Sequence, residues 1–202
     1  MPGYAGKMTS TRERIIQTGA RLFWRQGFPG TGMKQIVAEA DAPFGSVYHF
    51  FPGGKEALGA EAVRWSGGQY AALVDAAFAD AATRTNDLAT LVVDVFVAAG
   101  EAVRASEWAD ACPIATVALE MSSVSEPIRL ACHDTFESWL AGLGARFAAH
   151  GVVEAAQREL AITFLTLLEG AFLLARTSRS VEPLHVAGTA MAASIRAVVT
   201  AT

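Results

Sequence analysis

The segment 31–51 combines polar and aromatic side chains with two short helical patterns. In the first pattern, Met33, Ile36 and Val37 recur at three and four residues and predict one apolar face on a short helix. Pro43 suits the first turn of a second helix, because proline disfavours a helical residue before it. One side of this second helix is apolar, and its open side is polar and aromatic. The layout is typical of a helix-turn-helix that presents a recognition helix in the major groove of DNA.

Two kinds of DNA contact are expected from this segment and the helix start that follows it. The candidates for contact with the phosphate backbone are Lys34, Tyr48, His49 and Lys55. The candidates for contact with base edges are Thr31, Gln35, Phe44, Gly45 and Ser46. Among these, Phe44 would pack on a thymine methyl group and Gln35 would form hydrogen bonds with adenine.

Neighbouring elements must hold the recognition helix, because a helix this short is not stable alone. Ser10 and Glu13 stand at the spacing of a capping box, and the apolar residues behind them predict a supporting helix that ends near Gly27. After the recognition segment, residues 52–54 predict a tight turn. A fourth helix then begins at Lys55, where exposed amides suit a phosphate.

Four motifs together resemble the N-terminal domain of TetR-family transcriptional regulators. They are Thr11-Arg-Glu-Arg-Ile-Ile, Ile36-Val-Ala-Glu-Ala, Gly45-Ser-Val-Tyr-His-Phe-Phe and Lys55-Glu-Ala-Leu. The resemblance covers about residues 9–62. The two-glycine turn before Lys55 and the run Cys112-Pro-Ile-Ala-Thr-Val-Ala-Leu-Glu resemble the LmrA/YxaF-like branch of that family.

Two positions depart from the family pattern. Asp41 stands where the family usually has the glycine of the turn. Pro43 and Phe44 stand where a small hydroxyl residue and often a basic residue are common. A phosphate contact from position 44 is therefore not expected.

The resemblance and the composition together predict an all-α fold of about nine helices, since helix-forming residues dominate and prolines are few. Residues 1–53 would form the helix-turn-helix domain, and the fourth helix, from residue 54, would link it to the rest. Residues 54–202 would form a helical ligand-binding and dimerisation domain. The resemblance implies a homodimer that represses at a palindromic or nearly palindromic operator and leaves it when a ligand moves the fourth helix.

Charge is segregated along the chain. Residues 1–64 carry eight Lys and Arg against five Asp and Glu, a net charge of +3. The remaining residues carry eight basic against fifteen acidic side chains, a net charge of −7. Positive charge is thus concentrated in the part that would contact phosphates, as expected for a DNA-binding protein.

Aromatic residues between the fourth and eighth predicted helices indicate a cavity for a flat apolar or cationic effector. The candidate ligand-binding residues are Trp65, Phe96, Trp108, Glu120, Met121, Phe136, Trp139 and Glu169. Most of these aromatics are expected to be ordinary core, and the hypothesis of a cavity rests on the group as a whole. Glu120, which lies near a helix end, would serve equally well as a capping or solvated residue.

The last two helices, predicted at 153–176 and 182–199, indicate a dimer interface. The first is apolar nearly all round and should be buried on both faces, and the second carries small residues that permit close helix approach. The predicted interface residues are Leu160, Phe164, Leu167, Ala171, Leu174, Ala190, Ala193 and Ala197.

The sequence lacks the residue patterns typical of nucleotide-binding, metal-dependent and nucleophilic enzymes. The glycines before Lys55 lack the spacing of a phosphate-binding P-loop, and the four histidines have no partners at metal-binding spacing. Cys132 and His133 are neighbours on a predicted helix and would point apart. We therefore expect no catalytic residue, metal or cofactor. A DNA-binding regulator without an effector, or a structural helical dimer, stays open as an alternative.

The sequence also bears on cellular location. No run of about twenty apolar residues suggests a membrane span, and residues 1–8 are too short and polar for a signal peptide. Cys112 and Cys132 are expected to be buried, reduced thiols. A cytoplasmic protein without a membrane partner is the expectation.

Overall fold

The computed structural model describes residues 10–110 and 112–199, which form nine α-helices and no β-strand. The helices are α1 Thr11–Gln26, α2 Met33–Glu39, α3 Phe44–Phe50, α4 Gly54–Ala82, α5 Leu88–Ala105, α6 Ala115–Met121, α7 Glu126–Ala149, α8 Glu154–Ser178 and α9 Glu182–Val199. The all-α prediction is confirmed. The expectation about a signal peptide falls on residues 1–8, outside the described residues.

The helices divide between two compact units. Within the described residues, the first unit comprises the chain up to Ser66 together with Thr116–Cys132. The second comprises Gly67–Ala115 and the chain from His133 onwards. The helices α4 and α7 each contribute residues to both units, so the first unit holds more than the predicted helix-turn-helix segment.

The first unit is built on α1. Its predicted capping box is confirmed, because Ser10 Oγ accepts from the Glu13 amide at 3.2 Å and Glu13 Oε2 accepts from the Ser10 amide at 2.8 Å. Buried side chains from α1, α2, α3 and α4 form a common core, which includes Ile15, Phe23, Ile36, Val47 and Leu58. The burial of Val47, the buried residue of α3, anchors that short helix to its neighbours.

The turn between α2 and α3 adopts a backbone conformation that usually favours glycine. Asp41 has a φ of 47°, in the left-handed region, which aspartate tolerates better than most side chains. Arg14 of α1 fastens this turn, since its Nε donates to the Ala40 carbonyl at 3.0 Å and its Nη2 donates to the Asp41 carbonyl at 2.9 Å. Asp41 therefore occupies the left-handed conformation that glycine adopts most easily, and Arg14 holds the backbone on either side of it.

The second unit has an aromatic and aliphatic core. Phe96 and Phe164 meet edge to face, with ring centroids 5.0 Å apart, and both are fully buried. The helices α5, α8 and α9 pack together around them. The helices α4 and α7 approach closely at Gly67, where an added Cβ would collide with the Thr135 side chain. Trp139 spans the same contact by donating from Nε1 to the Gly67 carbonyl at 3.0 Å.

The prediction that α8 is buried on both faces depends on a partner chain, because one of its faces is exposed in the single chain. Leu173 and Leu174 are 66% and 58% exposed, because the neighbouring helices of the same chain cover only the opposite face. By length and composition α8 could also cross a membrane, although a core helix passes the same test. The buried face of α8, which includes Leu160, Phe164 and Leu168, belongs to the core of the second unit.

Candidate functional site

The open side of α3 presents two aromatic rings. Phe44 and Tyr48 are 44% and 56% exposed, and their ring centroids lie 5.7 Å apart in an edge-to-face arrangement. Their four-residue spacing places them on the same side of the helix. Gly45 and His49 are also exposed, and Ser46 is half-buried. This surface combines apolar contact area with polar groups.

A hydrogen-bonded chain fixes the side chain of Gln35. Gln26 Nε2 donates to Gln35 Oε1 at 2.8 Å, and Gln35 Nε2 donates to Glu39 Oε1 at 2.9 Å. Arg21 Nη2 donates to Glu39 Oε2 at 2.6 Å, and this bond is the main reason why the pKa of Glu39 is lowered. The Gln35 amide is therefore held in one orientation on α2.

Thr31 lies inside the first unit. Its side chain is 1% exposed, its Oγ1 donates to the Gly27 carbonyl at 2.7 Å, and the same oxygen accepts from Gln26 Nε2 at 3.2 Å. The hydroxyl group thus stabilises the turn between α1 and α2 and is not on the open surface of the unit.

Two lysines lie in different surroundings. Lys34 is exposed on α2, whereas Lys55 is half-buried in the first turn of α4. Lys55 Nζ lies 4.4 Å from the centroid of the Phe28 ring. Burial lowers the pKa of Lys55, and the nearby charge of Glu120 opposes that change. Lys55 thus occupies the helix start predicted to hold a phosphate, with its stem packed against an aromatic ring.

Three of the predicted ligand-binding residues belong to the first unit. Glu120 of α6 accepts from the Phe28 amide at 2.7 Å through Oε2, and its carboxylate lies against Gly27, whose φ is 80°. Met121 is buried, and Trp65 is 39% exposed. The carboxylate of Glu120 therefore accepts a hydrogen bond from a backbone amide just after α1. This contact is consistent with the capping role that the sequence left open for Glu120.

The second unit contains a cavity of about 240 Å³ between α4, α7 and α8. Its lining includes Tyr70, Val74, Asp75, Trp139, Arg146 and Phe164. The Tyr70 and Trp139 rings lie 5.2 Å apart between centroids, and the Phe136 ring lies 5.5 Å from that of Trp139. At the cavity, Arg146 Nη2 lies 2.5 Å from Asp75 Oδ1.

The remaining predicted ligand-binding residues lie elsewhere in the second unit. Phe96 is part of the core, and the Trp108 carbonyl accepts from Arg176 Nε at 3.1 Å. Within the described part of the chain, Glu169 Oε1 is buried without a hydrogen-bond partner, and burial raises the pKa of this carboxyl. Burial also raises the pKa of the Cys112 thiol, which lies beside Glu169.

The cavity residues that sequence reasoning missed include Tyr70, Asp75 and Arg146. Tyr70 and Asp75 lie on α4, and Arg146 lies on α7, 71 residues beyond its partner Asp75. Nothing in the local pattern of either helix indicates this pairing. The opposite charges of Asp75 and Arg146 were the available signal, and charge alone does not specify a partner at such a separation.

The predicted dimer-interface residues fall into two groups. Leu160, Phe164 and Ala171 are buried within the core of one chain, and Leu167 is half-buried. Leu174, Ala190, Ala193 and Ala197 are exposed. A groove between α8 and α9 is lined by residues that include Leu167, Gly170, Leu174, Pro183, Val186 and Ala190. The second unit thus carries an exposed apolar surface on its last two helices.

The described residues contain no cluster of three or more His, Cys, Asp and Glu side chains that could hold a metal ion. Cys112 and Cys132 are buried free thiols. Burial raises the pKa of Cys132 to about 11, so this thiol is protonated and weakly nucleophilic at neutral pH.

Comparisons with known proteins agree with this architecture. Residues 15–62 match the family described as bacterial regulatory proteins, tetR family, and residues 89–190 match the C-terminal domain described as transcriptional regulator LmrA/YxaF-like. The chain is 32% identical over 174 residues to the HTH-type transcriptional regulator YxaF of Bacillus subtilis, covering 86% of this chain and 89% of YxaF. It is also 32% identical to LmrA of the same organism, covering 86% of this chain and 90% of LmrA.

A solved structure gives the same result. The regulatory protein TetR from Rhodobacter sphaeroides aligns with a TM-score of 0.74 and 25% identity, covering 91% of this chain and 98% of that one. The resemblance found in the sequence is confirmed for both the N-terminal and the C-terminal parts. The chain belongs to the TetR family of bacterial transcriptional regulators, in the branch with an LmrA/YxaF-like C-terminal domain.

Proposed function

We propose that this regulator is a cytoplasmic, homodimeric repressor that binds a palindromic or nearly palindromic operator and is released by a small effector. The observation that carries the proposal is the exposed surface of α3. There Phe44 and Tyr48 are exposed on a helix anchored by Val47, in the part of the chain that has a net positive charge.

The DNA contacts divide by burial and chemistry. Gln35, Phe44, Gly45 and Ser46 are proposed to contact base edges, and Lys34, Tyr48, His49 and Lys55 are proposed to contact phosphates. We assign Thr31 to support of the turn, because its hydroxyl group is buried and bonded to the Gly27 carbonyl. In protein–DNA interfaces, contacts to phosphates usually position the protein on the duplex, and contacts to base edges select the sequence.

The dimer is proposed to form through α8 and α9. Leu174 and Val186 are 58% and 61% exposed in one chain, and they line the same groove. The small exposed residues Ala190, Ala193 and Ala197 follow along α9 and permit close helix approach. A stable interface of this kind buries about 2,000 Å² or more in total.

The effector is proposed to bind in the cavity of the second unit. Three helices line it, and one of them, α4, begins at Gly54 in the first unit. A ligand that binds better to the arrangement that does not fit DNA would weaken operator binding by the difference between its two affinities. Trp139 is the predicted ligand-binding residue that lines this cavity, and Phe136 supports its ring.

A regulator without an effector is the second candidate. The buried Glu169 and its neighbours Tyr70 and Cys112 would then be ordinary core groups, and the cavity would have no ligand. A ligand-responsive regulator and a regulator without an effector differ in how operator binding responds to small molecules. Small molecules that raise the melting temperature of the protein should also release the operator if the second unit is a sensor.

The DNA-binding proposal is tested by the salt dependence of binding. Replacing Lys55 by alanine should weaken binding to all duplexes alike and lower the slope of log K against log salt by about 0.9 for each phosphate that the protein no longer neutralises. Arg104→Ala is the control, because it removes one positive charge from the second unit. An unchanged slope in Lys55→Ala would remove Lys55 from the interface, and an equal change in the control would indicate a general charge effect.

A further inference from the structure

The cavity of the second unit carries a fixed positive charge. The Arg146 side chain is 27% exposed, whereas the side chain of its partner Asp75 is 68% exposed. Arg146 Cζ lies 4.4 Å from the centroid of the Phe78 ring, so the guanidinium is also held by packing. In the described part of the chain, the hydrogen bond recorded for the Asp75 side chain is the one that its Oδ1 accepts from Arg146 Nη2. The arginine is therefore partly buried, whereas the aspartate lies largely in solvent.

The walls of the cavity limit the size and shape of its occupant. A dry cavity of about 150 Å³ holds benzene, and sites for drug-sized ligands begin near 300 Å³. The volume of about 240 Å³ therefore suits one ring or two fused rings. The side chains of Tyr70, Trp139 and Phe164 supply flat apolar walls for such a ring system.

We propose that the cavity binds a planar aromatic carboxylate, whose carboxylate group replaces that of Asp75 on Arg146. This inference rests on the proposal that the second unit holds the effector. The aromatic rings lie against Tyr70 and Trp139, and the carboxylate accepts hydrogen bonds from the guanidinium. Asp75 uses one close contact to Arg146, through Oδ1, whereas a free carboxylate can use both of its oxygens on an arginine.

Charge balance favours an anion over a cation. An anion that takes Arg146 leaves the Asp75 carboxylate in solvent, where an exposed charge is well hydrated. A cation that takes Asp75 leaves the less exposed Arg146 without its counter-ion, which is costly for a charge partly removed from water. Glu169 does not change this balance, because it does not line the cavity and burial raises its pKa.

Binding would also act on α4. The pair formed by Asp75 and Arg146 joins α4 to α7 within the second unit. A ligand that displaces Asp75 removes this connection and replaces it with its own contacts. The occupant of the cavity is thus in a position to favour a different placement of α4 relative to α7.

The test compares three ligands of the same shape on the full-length protein by isothermal titration calorimetry. They are the anion 2-naphthoate, the neutral 2-naphthalenemethanol and the cation 2-naphthylmethylamine. We expect naphthoate to bind at least about tenfold more tightly than the other two, which is the value of one charge-assisted hydrogen bond. Preferential binding of the amine or the alcohol, or binding of none, overturns the proposal.

Two variants that break the same ion pair make the test specific. Arg146→Gln should weaken naphthoate binding by about tenfold or more, because it removes the cationic partner. Asp75→Asn should tighten naphthoate binding by about twofold to fivefold, because it removes the competing anion. A structural role of the pair alone would move both variants in the same direction, and that result would overturn the proposal. Thermal unfolding of each variant checks that it is folded.

Operator release separates this inference from the proposed function. Naphthoate that binds with the expected variant pattern but leaves operator binding unchanged supports the ligand class and contradicts the sensor. A neutral or cationic naphthalene that binds and releases the operator supports the sensor and contradicts the ligand class.

Discussion

Gln35 retains part of its hydrogen-bonding capacity after its contacts within the protein. Its Oε1 accepts one bond from Gln26 and its Nε2 donates one bond to Glu39, but an amide oxygen has two lone pairs and an amide nitrogen has two hydrogens. One acceptor and one donor are therefore left over, in an orientation fixed by the neighbours. This is the set that pairs with adenine in the major groove.

Replacing Gln35 by alanine should therefore cost about 1–3 kcal/mol of binding free energy on the operator and little on random duplex DNA. Fluorescence anisotropy with both duplexes at one salt concentration measures the two effects. Lys34→Ala is the control, since loss of its proposed phosphate contact should weaken binding to both duplexes alike. Equal losses on operator and random DNA in Gln35→Ala would reassign this residue to the phosphate backbone.

For single residues, the sequence predicted which side chains are exposed better than it predicted their hydrogen-bond partners. The exposed state of Phe44, Tyr48 and His49 followed from helical spacing alone. The burial of Thr31 did not follow, because it depends on how the turn after α1 folds back onto the Gly27 carbonyl four residues earlier. The contact of Glu120 with the Phe28 amide did not follow, because these two residues lie 92 positions apart in the chain. A polar residue beside an aromatic-rich segment fits a ligand contact and a backbone cap equally well.

At the scale of elements, helix ends and caps could be predicted from local pattern. The capping box of α1 and the limits of α9 agree with the prediction, because caps and apolar periodicity depend on residues that are close in sequence. The closeness of α4 to α7 could not be predicted. It depends on Gly67 and Trp139, which lie 72 residues apart and meet only in the folded chain.

The close approach of α4 and α7 predicts opposite effects for two adjacent glycines. Gly67→Ala should destabilise the protein by about 1–3 kcal/mol, because the new methyl group would collide with Thr135. Gly68→Ala should stabilise it by about 0.5–1 kcal/mol, because the new Cβ would meet nothing within 4 Å beyond its own stretch of helix and alanine favours the helix. Urea unfolding measures both changes. Equal destabilisation by the two variants would contradict the packing of α4 on α7.

The turn between α2 and α3 predicts an order of stability at position 41. Because φ is 47° there, Asp41→Gly should be at least as stable as the wild-type chain, and Asp41→Ala should be less stable than Asp41→Gly by about 1–2 kcal/mol. The contact from Arg14 goes to a backbone carbonyl and is available in all three chains. A glycine variant less stable than the alanine variant would show that the left-handed turn is not retained.

At the scale of the whole molecule, the exposed apolar surface of α8 and α9 predicts self-association. Leu174→Asp should convert the proposed homodimer to monomers without loss of the protomer fold, because this side chain is 58% exposed in one chain and is proposed to be buried against a second copy. Leu73→Asp is a matched control on α4, with a side chain that is 67% exposed. Sedimentation velocity at micromolar concentration measures the effect. If Leu174→Asp and Leu73→Asp associate to the same extent, the dimer interface does not include Leu174 of α8.

The most direct test of the proposed dimeric repressor is the symmetry of its DNA site and the number of chains bound to it. Selection of binding sites from random duplexes with the full-length protein, followed by footprinting and by the mass of the complex, gives both quantities. Two recognition helices about 34–36 Å apart predict two inverted half-sites whose centres are about one helical turn, or a multiple of it, apart, with two chains or a multiple of two on each operator. A single half-site bound by one chain with full affinity would contradict the account.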